Sequence, residues 1–106
     1  MAINFQPKME VKSKDVDLDR LETEARFTAG HSAAVVSAYR KRMQFIRSAQ
    51  DERDFYAMRS LWFERLKGNR QHQFSMRLNK QWRLILELHG KGSEKVVYVV
   101  GIEDYH

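Results

Sequence analysis

At Gln73 the hydrophobic period of this chain changes from that of a helix to that of a strand, and this change limits the folds open to it. Phe74, Met76 and Leu78 alternate with Gln73, Ser75 and Arg77; after a polar Asn79-Lys80 turn, Trp82, Leu84, Leu86 and Leu88 alternate with Arg83, Ile85 and Glu87. A period of two belongs to strands, whose successive side chains point to opposite faces. These residues therefore read as a hairpin with one apolar face. Gly90 and Gly92 supply the next loop, and Lys95 to Ile102 carries valines on both faces, the pattern of a central strand covered on two sides.

Upstream the period is helical. Asp17 reads as an N-cap, Leu18, Leu21, Ala25 and Thr28 recur at helical spacing, and Gly30 follows as a stop. Ser32 caps a second helix in which Val35, Val36, Tyr39, Met43 and Ile46 form an apolar stripe opposite Arg40, Lys41 and Arg47. The two helices form an antiparallel hairpin joined at Gly30. Asp51 caps a short third helix carrying Phe55 and Met58, after which Leu61-Trp62-Phe63 reads as extended chain. Ile3 to Phe5 reads as a short strand, and Pro7 with the lysine-rich Lys8 to Lys14 as a mobile or edge segment. Helices followed by a strand meander predict an α+β fold, an N-terminal helical hairpin packed on a small antiparallel sheet. With 106 residues, the chain is expected to be a single domain, 1–106.

Charge narrows the partners. Lys and Arg number 19 against 14 Asp and Glu, a formal net charge of +5, which fits either a polyanionic partner met through phosphate contacts or a surface kept soluble by charge. Cysteine is absent, so there is neither a disulfide framework nor a thiolate metal site. No apolar run approaches the ~18 residues of a membrane span, and Met1-Ala2-Ile3-Asn4 lacks the layout of a secretory signal. The expected location is cytoplasmic, with no membrane partner. His31, His72, His89 and His106 show no H-x-x-x-H or H-E-x-x-H spacing, which argues against a metal site. Gly90-Lys91-Gly92-Ser93 lacks the helix of a phosphate-binding loop and reads as a connection.

Two stretches carry chemistry. The last four residues, Glu103-Asp104-Tyr105-His106, set two acids, a phenol and an imidazole directly after an apolar strand, where a chain end is ordinarily frayed. The stretch Leu66 to Leu84 adds Lys67, Arg70, Arg77, Lys80 and Arg83. Together they point to a small basic protein acting on phosphodiesters.

These residues also carry a resemblance. The run L-K-G-N-R from Leu66, S-M-R-L-N-K-Q-W-R-L from Ser75 to Leu84, the terminal E-D-Y-H and the A-V-V-x-A-Y-R-K-R register of the second helix resemble the HigB branch of the RelE/ParE superfamily of toxin-antitoxin toxins, over Leu21 to His106. Met9 to Asp19 departs from the family's usual start, and Glu64 stands where some relatives carry a histidine. The resemblance implies a ribosome-dependent mRNA interferase with a helix-turn-helix, HigA-like antitoxin, bound to operator DNA only through that antitoxin. The implied chemistry needs no metal or cofactor: a ribose 2′-hydroxyl attacks its own phosphodiester. Such attack needs a base, a cation beside the developing phosphorane and an acid for the departing 5′-oxygen.

On the same resemblance His106 is the first choice for proton transfer, since imidazole titrates near neutrality and its terminal carboxylate favours the protonated form. Tyr105 either stacks on a nucleotide or bonds its phosphate, or else covers the sheet as a rim aromatic. Asp104 orients His106 or fixes the chain end, with a plain turn acid as the alternative. Arg83 is the best phosphate ligand, the alternative being cross-strand pairing with Glu87 or another acid. Lys67 and Arg77 are secondary phosphate contacts and Glu64 a candidate proton acceptor, while Arg70, Lys80 and Lys91 fit a general RNA-facing surface. Two other functions remain open: a ParE-like gyrase-inhibiting toxin with no nuclease chemistry, and a non-catalytic RNA- or ribosome-binding module.

Overall fold

The computed structural model describes residues 9–105; the expected strand at Ile3 to Phe5 and the candidate His106 lie outside them. Strand β1 (Glu10–Ser13) leads into α1 (Val16–Thr23), α2 (Ala33–Ser48) and α3 (Arg53–Ala57). Four strands follow: β2 (Glu64–Arg65), β3 (Gln73–Arg77), β4 (Trp82–His89) and β5 (Val96–Asp104).

The start of α1 corrects the sequence reading by two residues. Asp15 is the N-cap, its carboxylate accepting the Leu18 N–H at 2.9 Å. Asp17 lies in the first turn with Asp19, where negative charge suits the helix dipole. The helix also stops at Thr23, well before Gly30, because its last carbonyls are claimed by another element. Arg40 of α2 donates to the carbonyls of Leu21, Glu24 and Ala25 at 3.0, 2.8 and 3.2 Å, supplying the partners that a helix C-terminus lacks. Ala25 and Thr28 are thus exposed loop residues, and Gly30, at φ +80°, precedes α2. The α2 reading holds: Ser32 Oγ accepts the Val35 N–H at 3.2 Å, and Val35, Val36, Tyr39, Met43 and Ile46 are all buried. Tyr39 ties the helices together by donating its hydroxyl to the Leu18 carbonyl at 3.0 Å. At the next helix the N-cap position is Glu52, not the expected Asp51, which accepts the Arg53 N–H at 2.9 Å; Phe55 is fully buried, and Met58 lies just past the helix end.

The sheet order is β1-β5-β4-β3-β2. The β2, β3, β4 and β5 neighbours pair antiparallel, and the edge strand β1 joins parallel to β5, a mixed edge that the expected antiparallel sheet did not include. Phe74, Met76, Leu78, Leu84, Leu86, Val97 and Val99 meet the buried stripes of α1 and α2 in one core. The β3–β4 turn forms around Asn79, whose side-chain oxygen accepts the N–H groups of Gln81 and Trp82 at 2.9 and 2.8 Å. Gly90 is required where it stands: φ is +84°, and an added Cβ would lie 2.4 Å from the Glu94 carbonyl oxygen.

Two further readings are corrected. The residues after α3 are not extended: a 3-10 turn, Arg59–Leu61, ends in Trp62 in the left-handed region, and only Glu64–Arg65 forms strand. The second face of the hairpin is not open either, since Ser75, Arg83, Ile85 and Glu87 are buried. The loop between β2 and β3 contributes to that cover through Arg70, which bonds Gln73 and Glu103 across the face. The other face of β5 is only half covered, with Val97 and Val99 buried and Val96, Tyr98 and Val100 intermediate. Among the described residues no helix is long and apolar enough to cross a membrane.

Candidate functional site

The pleat and register of the hairpin set the site. Arg77 of β3, Arg83 of β4 and Glu103 of β5 stand directly opposite one another on the face away from the helices, as a side-chain period of two requires. Two like charges and one acid in a row would ordinarily settle into a salt bridge between Arg83 and Glu103. That does not occur, because Arg70 takes Glu103 first, bidentate at 2.9 and 2.6 Å. The hydrogen bonds that Arg70 donates to Glu103 hold its guanidinium above its ordinary pKa.

Arg83 is consequently a buried cation with little to bind. Its residue is 7% exposed, yet one of its nitrogens donates to the Trp62 carbonyl at 3.2 Å and the nearest carboxylate oxygen among the described residues, of Glu64, is 3.9 Å away. A guanidinium carries five N–H donors, and the Trp62 carbonyl is its one hydrogen-bond acceptor among the described residues. The guanidinium carbon lies 4.5 Å from the centre of the Tyr105 ring, a cation–π contact. Of the expected alternative, pairing with Glu87 or another acid, the Glu87 form is not found, since Glu87 sits opposite Gln73 and Tyr98 and is bound elsewhere; the other acid is Glu64, at 3.9 Å.

Two cavities meet at Arg83 and Tyr105. One, of about 420 Å³, is lined also by Trp62, Glu64, Arg77 and Lys80. The other, of about 230 Å³, lies toward Arg70, Ser75, Glu103 and Asp104. Asp104 and Tyr105 are fixed to the hairpin turn: the Tyr105 N–H donates to the Gln81 carbonyl at 2.6 Å, and the Gln81 side chain donates to the Asp104 carboxylate at 3.2 Å. Glu64, Arg77, Lys80, Arg83, Asp104 and Tyr105 are therefore brought together, and Arg70 closes one side while engaged with Glu103. Lys67 is exposed at the start of the Gly68–Arg70 turn and lines neither cavity. Lys91 lies in the loop beyond the far end of β4. Chemically, the larger cavity offers three cations, one carboxylate and one phenol, enough to bind an anion and to shift protons beside it.

Two residues escaped sequence reasoning. Ser75 is buried and its hydroxyl has no hydrogen-bond partner among the described residues, although it faces the smaller cavity. Its apolar neighbours mark a strand and conceal that the polar face is covered. Trp62 is the other. Leu61 and Phe63 are buried and Trp62, between them, is 58% exposed; the apolar triplet gave no warning that its middle member turns outward. Its φ of +48° is unusual for a bulky side chain, with a cost of roughly 1–2 kcal/mol.

The chain matches, over residues 13–106, the family model of a HigB-like toxin, described as the RelE-like toxin HigB of type II toxin-antitoxin systems. Among solved structures it is similar to a YoeB/ParE toxin from Agrobacterium tumefaciens at 19% identity and a TM-score of 0.58, covering 92% of this chain and 100% of that one. That likeness extends to the fold. No curated protein matches the chain.

Proposed function

Because the chain belongs to the HigB-like family of RelE-like toxins of type II toxin-antitoxin systems, we propose that it is a ribosome-dependent mRNA endonuclease that inhibits translation by metal-independent cleavage. Membership in a type II family implies an antitoxin partner; a HigA-like helix-turn-helix protein, with operator DNA reached only through it, is part of the same proposal. So is a single toxin domain over 1–106 working in the cytoplasm.

The observation that carries the nuclease reading is the buried, under-bonded Arg83 in a cleft shared with Arg77, Lys80, Glu64 and Tyr105. A preorganised cation with free donors suits a phosphorane, whose charge grows in the transition state. In this scheme Arg83 stabilises the phosphorane, and Arg77 and Lys80 hold flanking phosphates, with Lys67 as a more distant contact. Glu64 or Tyr105 takes the 2′-hydroxyl proton and His106 protonates the departing 5′-oxygen. The 2′-oxygen forms its bond to phosphorus as the 5′-oxygen bond breaks, leaving a cyclic phosphate and a 5′-hydroxyl. Arg70 borders the cleft while held by Glu103, and Lys91, beyond the far end of β4, adds to the overall positive charge without gripping the RNA backbone.

Induction in cells without the antitoxin, followed by mapping of mRNA ends, tests this reading. New ends confined to translated messages are expected. Growth arrest with intact mRNA and damaged chromosomes would favour a gyrase poison instead.

A further inference from the structure

We propose that Trp62 is a base-stacking wall of the cleft, holding its indole against a nucleobase of single-stranded RNA; the inference rests on the nuclease reading and deepens it. The first observation is conformational. Trp62 occupies the left-handed region, at φ +48° and ψ 47°, where glycine or asparagine is accommodated more readily than a large aromatic. Nothing in the core needs the ring, which projects outward between two buried anchors, Leu61 and Phe63. No ring of the described residues stacks on it, whereas Phe63 stacks on Phe74 and Trp82 meets His31 edge-on.

The second observation is the place of Trp62 in the cleft. The residue lines the larger cavity together with Arg77, Lys80 and Arg83, so an exposed aromatic residue and three cations share one cleft. Phosphate-binding cations beside an exposed aromatic are what a single-stranded nucleic acid requires, one for its backbone and one for its bases. Tyr105, the other aromatic of the cleft, already has the Arg83 guanidinium over its ring. Trp62 is the aromatic left available.

The third is mechanical coupling. The Trp62 carbonyl accepts the hydrogen bond from Arg83, so the backbone turn that orients the indole also aims the phosphate-binding guanidinium. Base and phosphate are thereby held in a fixed relation. Strain of this kind persists where the surroundings over-determine it, here through the two core anchors and the Arg83 bond.

The test separates stacking from cleavage. Tryptophan fluorescence of the toxin is titrated with a trinucleotide whose 2′-O-methyl groups block the chemistry, comparing the unaltered chain, Trp62→Phe and Trp62→Asn. Quenching is expected in the unaltered chain and is lost in Trp62→Phe, which lacks the reporting indole but retains an aromatic plane. Affinity for a dye-labelled form of the same trinucleotide falls roughly ten- to hundredfold in Trp62→Asn, the order of one base-stacking contact, and is largely kept in Trp62→Phe. Asparagine fits the left-handed backbone, so thermal unfolding of Trp62→Asn should match or exceed that of the unaltered chain; a marked loss of stability would assign the ring a structural role and overturn the proposal. Quenching that persists in Trp62→Phe would originate at Trp82 and also overturn it. These readouts stand whether or not the toxin cleaves programmed ribosomes, a separate measurement on which the nuclease reading alone depends.

Discussion

Strand β4 carries two buried charges on the same face, Arg83 and Glu87, and they are treated in opposite ways. Glu87 is saturated: Gln73 donates to it at 3.1 Å, His89 bonds it at 3.0 Å, and Lys14 and His72 stand 3.7 and 4.0 Å away. Arg83, four residues earlier, has among the described residues one carbonyl and a carboxylate at the edge of ion-pair range, its natural cross-strand acid having been taken by Arg70. A buried charge is stable when its bonding capacity is filled. The saturated end of the strand therefore reads as structure, and the unsaturated end, under the proposed function, as capacity for a ligand. The single difference lies in which neighbours were assigned to whom.

The sharpest way to break this comparison is Arg83→Met, which keeps most of the side-chain stem and removes the charge. If Arg83 is reserved for the scissile phosphate, single-turnover cleavage on programmed ribosomes should fall by roughly a hundredfold or more, as for loss of one transition-state donor. Folding stability in urea should hold or rise, since an underpaired buried charge is replaced by an apolar group. Cleavage near the unaltered rate in a folded variant would make Arg83 a structural residue after all.

Glu87→Leu should give the reverse pattern. It leaves Gln73 and His89 without their common hydrogen-bond partner and Lys14 without its ion-pair partner, at a cost of about 1–3 kcal/mol of stability, while cleavage per folded molecule stays unchanged. A variant that unfolds at the same urea concentration as the parent would remove the structural half of the comparison.

The two ends were unequally legible in the sequence. Alternation in β3, β4 and β5 and the α2 stripe predicted the elements and their core faces, because burial on one side imposes a period that local sequence displays. Sequence also selected Arg83, Tyr105 and Glu64, though through resemblance to a family. Invisible to it was the bonding: that Arg70 would reach across 33 residues to Glu103 and leave Arg83 underpaired depends on how a loop lies over the sheet. The short α1 has the same cause, as its end is set by Arg40 from another helix. Trp62 was hidden because a left-handed turn between two core anchors reads, in one dimension, like a strand.

Acidity supplies a smaller effect that sharpens the assignment of Glu87. The hydrogen bond with His89, that from Gln73, and the charges of Lys14 and His72 hold the Glu87 carboxyl below its ordinary pKa, outweighing the opposing effect of burial. A carboxyl depressed in the folded state stabilises it fully above the unfolded value of about 4.3, and that stabilisation is lost as pH falls through the folded value. Urea titrations from pH 6 down to pH 3 should show a steeper acid loss in the parent than in Glu87→Gln. Parallel curves would mean that the bonds at Glu87 do not favour its ionised form.

The smallest expected effect compares two lysines at opposite ends of the same strand. Lys80 lines the Arg83 cleft, whereas Lys91 lies in the loop that follows β4, beyond Glu87. Both add the same charge to the molecule, so a purely diffuse attraction for RNA would lose equally from either. If the Arg83 end is where the backbone of a single strand is gripped, Lys80 releases a counterion on binding and Lys91 does not. The slope of log affinity against log salt should then fall by about 0.7 in Lys80→Ala, the value for one phosphate contact on a single strand, and stay at the parent value in Lys91→Ala. The same uncleavable RNA serves for both, and circular dichroism checks the fold. Equal changes in the two variants would mean that the basic surface acts as a whole and that the open end of β4 has no special hold on the backbone. A change confined to Lys91 would move the RNA path to the saturated end and separate it from Arg83 altogether.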